Sequence, residues 1–268
     1  MLRIAMRTYF GGWRRLLPLA AIAMAVMASV GAPATGVLAD DTKESQILGH
    51  AHMTTVWDIA RGGQLYDNWM AVMEATPPAA THPAYPAAGK QKDAATWRCK
   101  ECHGWDYKGV DGAYGKGSHV TGIKGVTGVV GMAPEALHKI IMNDTHAFTE
   151  AMMPHAAMEK LALFLSSGLI DMDRYIDRGT KVARGNAQRG AAFFQTICAV
   201  CHGFDGKAMN FKDAANPEYI GTVAKDNPWE TLHKIRFGQP GVGMVSLEVL
   251  GVDDLVDILA YAQTLPEK

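Results

Sequence analysis

The sequence predicts an all-α protein with two tandem domains of one fold. The first observation is an internal repeat: residues 102–108 read Cys-His-Gly-Trp-Asp-Tyr-Lys, and residues 201–207 read Cys-His-Gly-Phe-Asp-Gly-Lys. A repeat of this kind indicates the duplication of a structural unit. The second observation is a helical spacing of apolar residues near the end of the chain, at Leu255, Ile258, Leu259 and Ala262.

Length and composition are those of an ordinary folded protein. The chain has 268 residues, of which 48% are apolar and 20% are charged. At about 150 residues per domain, this length allows one or two domains with a substantial core. The composition excludes intrinsically disordered, collagen-like and multi-spanning membrane proteins.

The first 39 residues have the layout of a secretory signal peptide. They contain four arginines and no acidic residue, and an apolar run extends from Leu16 to Val30. Val37 and Ala39 occupy positions −3 and −1 of a cut before Asp40. We therefore expect the body of the protein to be periplasmic. The alternative is an uncleaved membrane anchor, although this apolar run is shorter than the ~20 residues of a spanning helix.

Without its first 39 residues the chain is acidic. Residues 40–268 hold 22 basic and 27 acidic residues, which gives a net charge of −5. Domains that bind nucleic acid usually carry basic patches and a positive charge. A nucleic-acid partner is therefore not expected.

The four cysteines lie in two identical frames. Each has the form Cys-x-x-Cys-His: Cys99-Lys-Glu-Cys102-His103 and Cys198-Ala-Val-Cys201-His202. This is the attachment motif of c-type haem. The two thiols bond to the vinyl groups of the porphyrin, and the histidine ligates the iron from below. The sequence therefore predicts two covalently attached haem c groups.

Other uses of four cysteines explain the pattern less well. A redox dithiol needs no histidine after its cysteines, and neither do disulfides in an exported protein. A four-cysteine zinc site usually has its cysteine pairs closer together than the 99 residues found here.

The duplication extends upstream of the cysteine frames. A glycine precedes an aromatic residue by four positions in each half, with Gly62 and Tyr66 in the first and Gly190 and Phe194 in the second. On a helix, the glycine lets another backbone approach closely while the aromatic side chain packs beside it. The last helix of each half is predicted at Met158–Ser167 and Asp253–Leu265.

This arrangement resembles the class I c-type cytochromes, in particular members with two tandem domains and two haems. The resemblance covers residues 59–265 and is most specific at the haem motifs. It implies that each domain is wrapped around one haem c. We accordingly assign residues 1–39 to the signal peptide, 40–172 to the first domain and 173–268 to the second.

The first half departs from the family in two segments. Tyr66 lies 33 residues before Cys99, whereas Phe194 lies four residues before Cys198. The additional stretch contains four prolines and is predicted to be an extended loop. Residues 109–131 hold eight glycines without the spacing of a phosphate-binding loop. We expect them to form an enlarged loop at the haem edge or a surface for a partner.

The resemblance also implies a methionine as the sixth iron ligand in each half, and a His and Met pair gives an electron carrier of raised potential. In the first half Met153 fits best, because Met153-Pro154 looks like the Met-Pro loop of the family, and Met152 is next. In the second half Met244 is expected, although Val245 replaces the proline. The remaining candidates are Met158, His146, His155 and Met209.

Three other expectations concern histidines and aromatic residues. His138 and His233 occupy matched positions on a short helix of each half, which suggests a shared structural or propionate-contacting role. Trp105 and Phe204 follow the haem motifs and are expected to pack on the porphyrin. His82 is expected at the surface.

The expected function is the transfer of single electrons in a respiratory or dehydrogenase-linked chain, and the protein is expected to be a carrier rather than an enzyme. Its donor is a dehydrogenase or a quinol-oxidising complex, and its acceptor is an oxidase or a reductase. Two alternatives stay open. A dihaem peroxidase or an oxidase of small sulfur compounds needs an iron with an open or unusual ligand. A membrane-anchored subunit of a respiratory complex needs an uncleaved amino-terminal segment.

Overall fold

The computed structural model describes the backbone of residues 38–268 and the side chains of residues 55–268. The chain divides into two compact units, Met1–Lys43 and Glu44–Lys268. Of the first unit only residues 38–43 are described, and they are helical. The second unit contains both Cys-x-x-Cys-His motifs. The signal peptide predicted for residues 1–39 lies outside the described residues, apart from the backbone of its last two.

The described residues form nine α-helices and no β-strand, which confirms the all-α fold class. In chain order they are α1 (Leu38–Met73), α2 (Cys99–His103), α3 (Pro134–Ile141), α4 (His155–Leu163), α5 (Ala187–Phe193), α6 (Ala199–His202), α7 (Ile220–Asp226), α8 (Pro228–Phe237) and α9 (Val252–Ala262). A π-helical turn extends α4 over Phe164–Gly168, and another extends α5 over Phe194–Cys198. None of these helices combines the length and the apolarity of a membrane span.

Local sequence explains where several helices begin. The side chain of Asn186 accepts hydrogen bonds from the backbone N–H groups of Gln188 and Arg189, at 3.0 and 3.1 Å, and so caps α5. Asn227 caps α8 in the same way, and Pro228 takes the first helical position, where no N–H donor is needed. Helix α4 with its extension, and helix α9, occupy the two segments predicted to close the halves, to within a few residues.

In the first half, α1 and α4 cross at Gly62. A Cβ at this position would overlap the carbonyl oxygen of Lys160 and the Cβ of Phe164. Only glycine therefore allows the two backbones to come this close. Tyr66 lies one turn further along α1 and packs against the ring of Phe164, with the ring centroids 5.5 Å apart.

The second half repeats this crossing between α5 and α9. A Cβ at Gly190 would overlap the carbonyl oxygen of Asp257. Phe194, four residues further on, packs against Tyr261 with the ring centroids 5.4 Å apart. The close approach predicted for both glycines, and the aromatic packing beside it, are confirmed in each half.

Among the described residues, a large apolar core extends through both halves of the second unit, and a smaller cluster of Phe194, Ala199 and Leu265 lies beside the second motif. Gly63 of α1 lies directly against the ring of Phe237 in α8. His233 of α8 is surrounded by five aromatic rings, of which the first four belong to the first half: Tyr66, Trp105, Tyr107, Phe164 and Phe237. The contacts between the two halves therefore contribute to the stability of the second unit. The domain boundary after residue 172 stays a prediction.

A buried carboxylate adds a polar connection between the halves. Asp67 of α1 is fully buried and forms ion pairs with Arg98 and with Lys234 of α8, whose Nζ lies 2.8 Å from Oδ2. Burial by itself raises the pKa of Asp67, but the two cations outweigh it and hold the pKa below its ordinary value. The carboxylate is thus charged and paired in the folded protein.

Candidate haem-attachment sites

The two cysteine motifs adopt the same local structure. Cys99 and Cys102 lie three positions apart on α2, which places both thiols on one side of a single turn. A glycine ends each short helix with a positive φ that a side chain would oppose: Gly104 at 79° and Gly203 at 78°. The backbone beyond each motif therefore turns in the same direction.

Turn chemistry accounts for the repeated residues after each motif. The carbonyl oxygen of His103 accepts a hydrogen bond from the N–H six residues on at 2.8 Å, and that of His202 does so at 2.9 Å. The carboxylate of Asp106 accepts from the N–H two residues on at 3.2 Å, and Asp205 does so at 3.0 Å. The Gly-x-Asp-x-Lys repeat is thus explained by the backbone that follows the haem motif.

His103 is oriented for ligation through Nε2. Its Nδ1 lies 2.7 Å from the carbonyl oxygen of Lys124. Because a carbonyl can only accept, Nδ1 carries the proton and Nε2 keeps its lone pair. Burial lowers the pKa of His103, which favours this neutral form. The acceptor comes from the glycine-rich loop, which is held closed by a backbone bridge between Gly109 and Lys124, and sequence analysis did not identify this role.

His202 is half-buried between the rings of Phe194 and Phe211, at centroid distances of 6.5 and 5.9 Å. Its Nδ1 is buried, and among the described residues it has no hydrogen-bond partner. Burial lowers the pKa of His202, so the ring is neutral and able to offer a nitrogen lone pair.

All four cysteines are free thiols in this structure. Burial raises the pKa of Cys99 to about 12, with a further contribution from Cys102. Burial likewise raises the pKa of Cys102 and of Cys198 to about 11. Redox dithiols have lowered rather than raised thiol pKa values. The environment of these thiols therefore argues against a redox dithiol, and a thiol pair followed by a neutral imidazole fits covalently attached haem c.

The predicted methionine ligands differ in their surroundings. Met153 is fully buried in the apolar core, two residues before α4 begins. Met152 beside it is half-buried, and Met158 lies within α4 with no exposed surface. Met244 is half-buried in the loop between α8 and α9. The assignments of Met153 and Met244 stay predictions.

His155, a candidate nitrogen ligand, lies at the surface at the start of α4. Its Nε2 is 3.1 Å from a carboxylate oxygen of Glu159. Together with His138 and Glu150 it forms a group whose ligand atoms lie within 4.8 Å of one another. His138 is half-exposed, whereas His233 at the matched position is fully buried. The two environments differ, so the shared role suggested by sequence is not seen.

The two aromatic residues that follow the motifs differ in exposure, and one histidine lies where sequence analysis did not expect it. Trp105 is buried between the ammonium groups of Lys100 and Lys234, which lie 5.0 and 5.1 Å from its ring. Phe204 at the matched position is 75% exposed. His82, expected at the surface, is buried in the proline-rich insert and contacts the segment between α3 and α4. The insert therefore contacts the loop that holds His146, near the first cysteine motif.

Comparison with known proteins supports haem chemistry in the second half. Residues 185–261 match the model of a family described as cytochrome c oxidase, cbb3-type, subunit III. The match includes the second cysteine motif and the crossing of α5 with α9, and it supports a class I c-type cytochrome domain. Such a domain carries covalently bound haem c, transfers electrons and has redox proteins as partners. No curated protein and no solved structure matches the chain.

Proposed function

We propose that this protein is an exported dihaem c-type cytochrome that transfers single electrons between redox partners. The observation that carries the proposal is structural duplication. The first half repeats the features of the second, which has the family match. These features are a cysteine helix ended by a glycine of positive φ and a helix crossing at a glycine followed by an aromatic residue.

Each half has the residues that a c-type haem requires. Cys99 with Cys102, and Cys198 with Cys201, form the thioether bonds. His103 and His202 ligate iron through a ring nitrogen whose neutral state burial favours. These two sets of residues attach and orient the haems.

The sulfur of Met244 would be the sixth ligand of the second iron, and sequence analysis assigns this role in the first half to Met153. Haem iron alternates between the ferric and ferrous states and so supplies the capacity to hold one electron. The apolar core packs against Cys99 and Cys198, and such an apolar environment helps to set the potential of a haem.

The donor and acceptor are redox proteins outside the cytoplasm, with the electron passing from a dehydrogenase or quinol-oxidising complex to an oxidase or reductase. A second candidate function is that of a cytochrome subunit within a respiratory complex. The family that matches the second half, a subunit of a cbb3-type oxidase, favours this candidate. The two functions differ in whether the protein is isolated alone or together with partner subunits.

Counting covalent haems tests the proposal. The protein is produced with a c-type maturation system and its intact mass is measured after acid–acetone extraction. Two haems are expected in the wild type, and one in a Cys99→Ala/Cys102→Ala variant and in a Cys198→Ala/Cys201→Ala variant. A wild type with a single haem would overturn the dihaem proposal. The tagged protein is then isolated from the membranes and the periplasm of the cells that produce it. Isolation alone indicates a separate electron carrier, and isolation with partner subunits indicates a subunit of a respiratory complex.

A further inference from the structure

We infer that His146, and not Met153, is the sixth iron ligand in the first half, so that the two haems have different axial ligands. This inference rests on the proposed dihaem function and specifies the chemistry of its first site. His146 lies in the loop between α3 and α4, and its ring is half-buried.

The rings of His103 and His146 are separated by the distance that shared ligation requires. Their centroids are 6.2 Å apart, and their planes are inclined by 31°. An imidazole nitrogen ligates a first-row metal at about 2.0–2.1 Å, and the ring centre lies about 1.1 Å behind that nitrogen, so two imidazoles on opposite sides of one metal have centroids about 6.3 Å apart. The two side chains are therefore spaced for a single metal between them.

Hydrogen bonding puts both rings in the protonation state of a ligand. Oδ1 of Asn143 accepts hydrogen bonds from the backbone N–H groups of Thr145 and His146, both at 3.0 Å. Since that oxygen can only accept, Nδ1 of His146, which lies 3.2 Å from it, carries the ring proton. Nε2 of His146 then keeps its lone pair, as Nε2 of His103 does. A histidine that ligates a metal usually donates its other ring N–H in this manner.

Position along the chain gives a second, independent argument. Met244 precedes the start of α9 at Val252 by eight residues. His146 precedes the start of α4 at His155 by nine residues, whereas Met153 precedes it by only two. When the duplicated halves are compared by their helices, His146 is the counterpart of Met244.

The surroundings of Met153 are those of a core residue. Its side chain is 0% exposed because the apolar core of the protein encloses it. Its backbone N–H donates to the carbonyl of Thr149 at 2.9 Å, within the turn that leads into α4. These are the surroundings of a packing residue, since filling a core gap is a common role of methionine.

The proline-rich insert holds the His146 segment in place. The backbone N–H of Ala84 donates to Nδ1 of His82, so Nε2 of His82 carries the proton and donates to the carbonyl of His146 at 2.7 Å. Two residues after His146, the ring of Phe148 packs edge-on against Trp69 and Trp97, at 5.8 Å from each. This segment is therefore fixed at His146 and two residues after it, and the insert contributes to this through His82 and Trp97.

The consequence is a difference in potential between the two haems. Methionine as an axial ligand raises the potential of a haem relative to a second nitrogen ligand. The first haem, with two histidines, therefore has a lower potential than the second, with His202 and Met244. Electrons that enter at the first haem then pass downhill to the second.

Spectroscopy of the dihaem holoprotein tests the inference. We expect the ferric wild type to show the near-infrared sulfur-to-iron band for one iron out of two. His146→Ala should make the reduced first haem bind carbon monoxide, and His146→Met should add a second sulfur-to-iron band and raise the lower midpoint potential. Met153→Leu, a swap of similar volume, should leave the band, both potentials and the insensitivity to carbon monoxide unchanged.

The opposite pattern would overturn the inference. Sulfur-to-iron bands from both irons in the wild type, with one of them lost in Met153→Leu, would assign the ligand to Met153. The wild-type spectrum decides the question without any substitution, in case His146→Ala fails to fold. A protein with a single covalent haem by mass would instead contradict the proposed function, so the two failures are distinguishable.

Discussion

At the scale of single residues, His233 shows how a buried side chain acquires one defined state. Its Nε2 lies 3.0 Å from the carbonyl of Gly63, and its Nδ1 lies 2.8 Å from the hydroxyl of Tyr107. Because the carbonyl only accepts, Nε2 donates to it and Nδ1 accepts from the hydroxyl. Both ring nitrogens are satisfied only while the imidazole is neutral.

The first prediction concerns the pH dependence of stability at His233. Its pKa is lowered from 6.5 to about 3, chiefly by burial and also by Lys234 and Arg236, while Asp67 and the hydrogen bond to Gly63 oppose this shift. Between these values the unfolded chain binds a proton that the folded protein excludes, so the free energy of unfolding falls as the pH falls from about 6.5 towards 3. Urea unfolding at several pH values measures how the free energy of unfolding changes with pH. This change should be smaller for His233→Gln than for the wild type.

His138→Gln is the matched control for this measurement, because it changes the half-exposed histidine at the repeated position. The free energy of unfolding of this variant should change with pH as much as that of the wild type does. Equal changes for all three proteins would show that His233 takes up no proton on unfolding in this range.

At the scale of elements, each half depends on one close helix crossing. The crossing of α1 with α4 and that of α5 with α9 both place a glycine against a carbonyl oxygen of the partner helix. The aromatic pairs beside them then pack at nearly equal distances, 5.5 and 5.4 Å. A side chain at either glycine would force the two helices apart, because the contact between them leaves no space for it.

Alanine at the crossing glycines should therefore destabilise the protein. We expect Gly62→Ala and Gly190→Ala to lower the free energy of unfolding by about 1–3 kcal/mol or more, the cost of overpacking a close contact. Gly128→Ala is the control, since a Cβ there meets no atom within 4 Å, and its effect should stay within about 0.5 kcal/mol. Urea titration followed by far-ultraviolet circular dichroism measures all three. An unchanged stability for Gly62→Ala would contradict the crossing.

At the scale of the whole molecule, the described halves are joined by apolar and ionic contacts together. Asp67 of α1 is buried between Arg98, from the first half, and Lys234, from the second. Beside it, the amide of Gln64 donates to the carbonyl of Phe237 at 2.8 Å. These ion pairs and this hydrogen bond lie beside the apolar contact between α1 and α8.

Removing the Asp67 charge should weaken the joined structure. Breaking a buried pair costs about 3–5 kcal/mol, and partial exposure of the two cations, at 23% and 17%, places Asp67→Asn at the lower end. Because the pKa of Asp67 is lowered in the folded protein, the deficit should persist down to about pH 4 and shrink below it. Urea unfolding at pH 7 and at pH 3 checks both points.

Asp177→Asn serves as the comparison, since Asp177 pairs with Arg184 at the surface. Exposed pairs contribute little, so its stability at pH 7 should remain close to that of the wild type. If both variants lost a similar amount of free energy of unfolding, the buried ion pairs of Asp67 would contribute no more to stability than an exposed pair.

The net charge of the molecule predicts how it meets its partners. Residues 40–268 carry a net charge of −5, so association with a cationic redox protein should speed up as ionic strength falls. Stopped-flow rates at several salt concentrations measure this, with a neutral small-molecule reductant as the control. Rates that do not respond to salt would indicate an apolar docking patch around the haem edge.

Sequence by itself determined the features that depend on local spacing. The cysteine frames predict haem attachment because three side chains within one turn are enough to specify it. The glycine and aromatic pairs predict the crossings because steric exclusion at one position leaves no alternative to glycine. Apolar periodicity predicted α9 and the repeated order of parts predicted α4, and both helices formed within a few residues of these positions.

Only the tertiary structure decided which distant groups meet. The insert residue His82 reaches the loop of His146, the glycine-rich loop offers its Lys124 carbonyl to His103, and Trp105 packs against the second half. Sequence pattern favoured Met153 as a ligand because of its proline, while packing encloses that side chain in the core. Contacts of this kind depend on the paths of loops, and loop paths follow from the packing of the whole core rather than from local spacing.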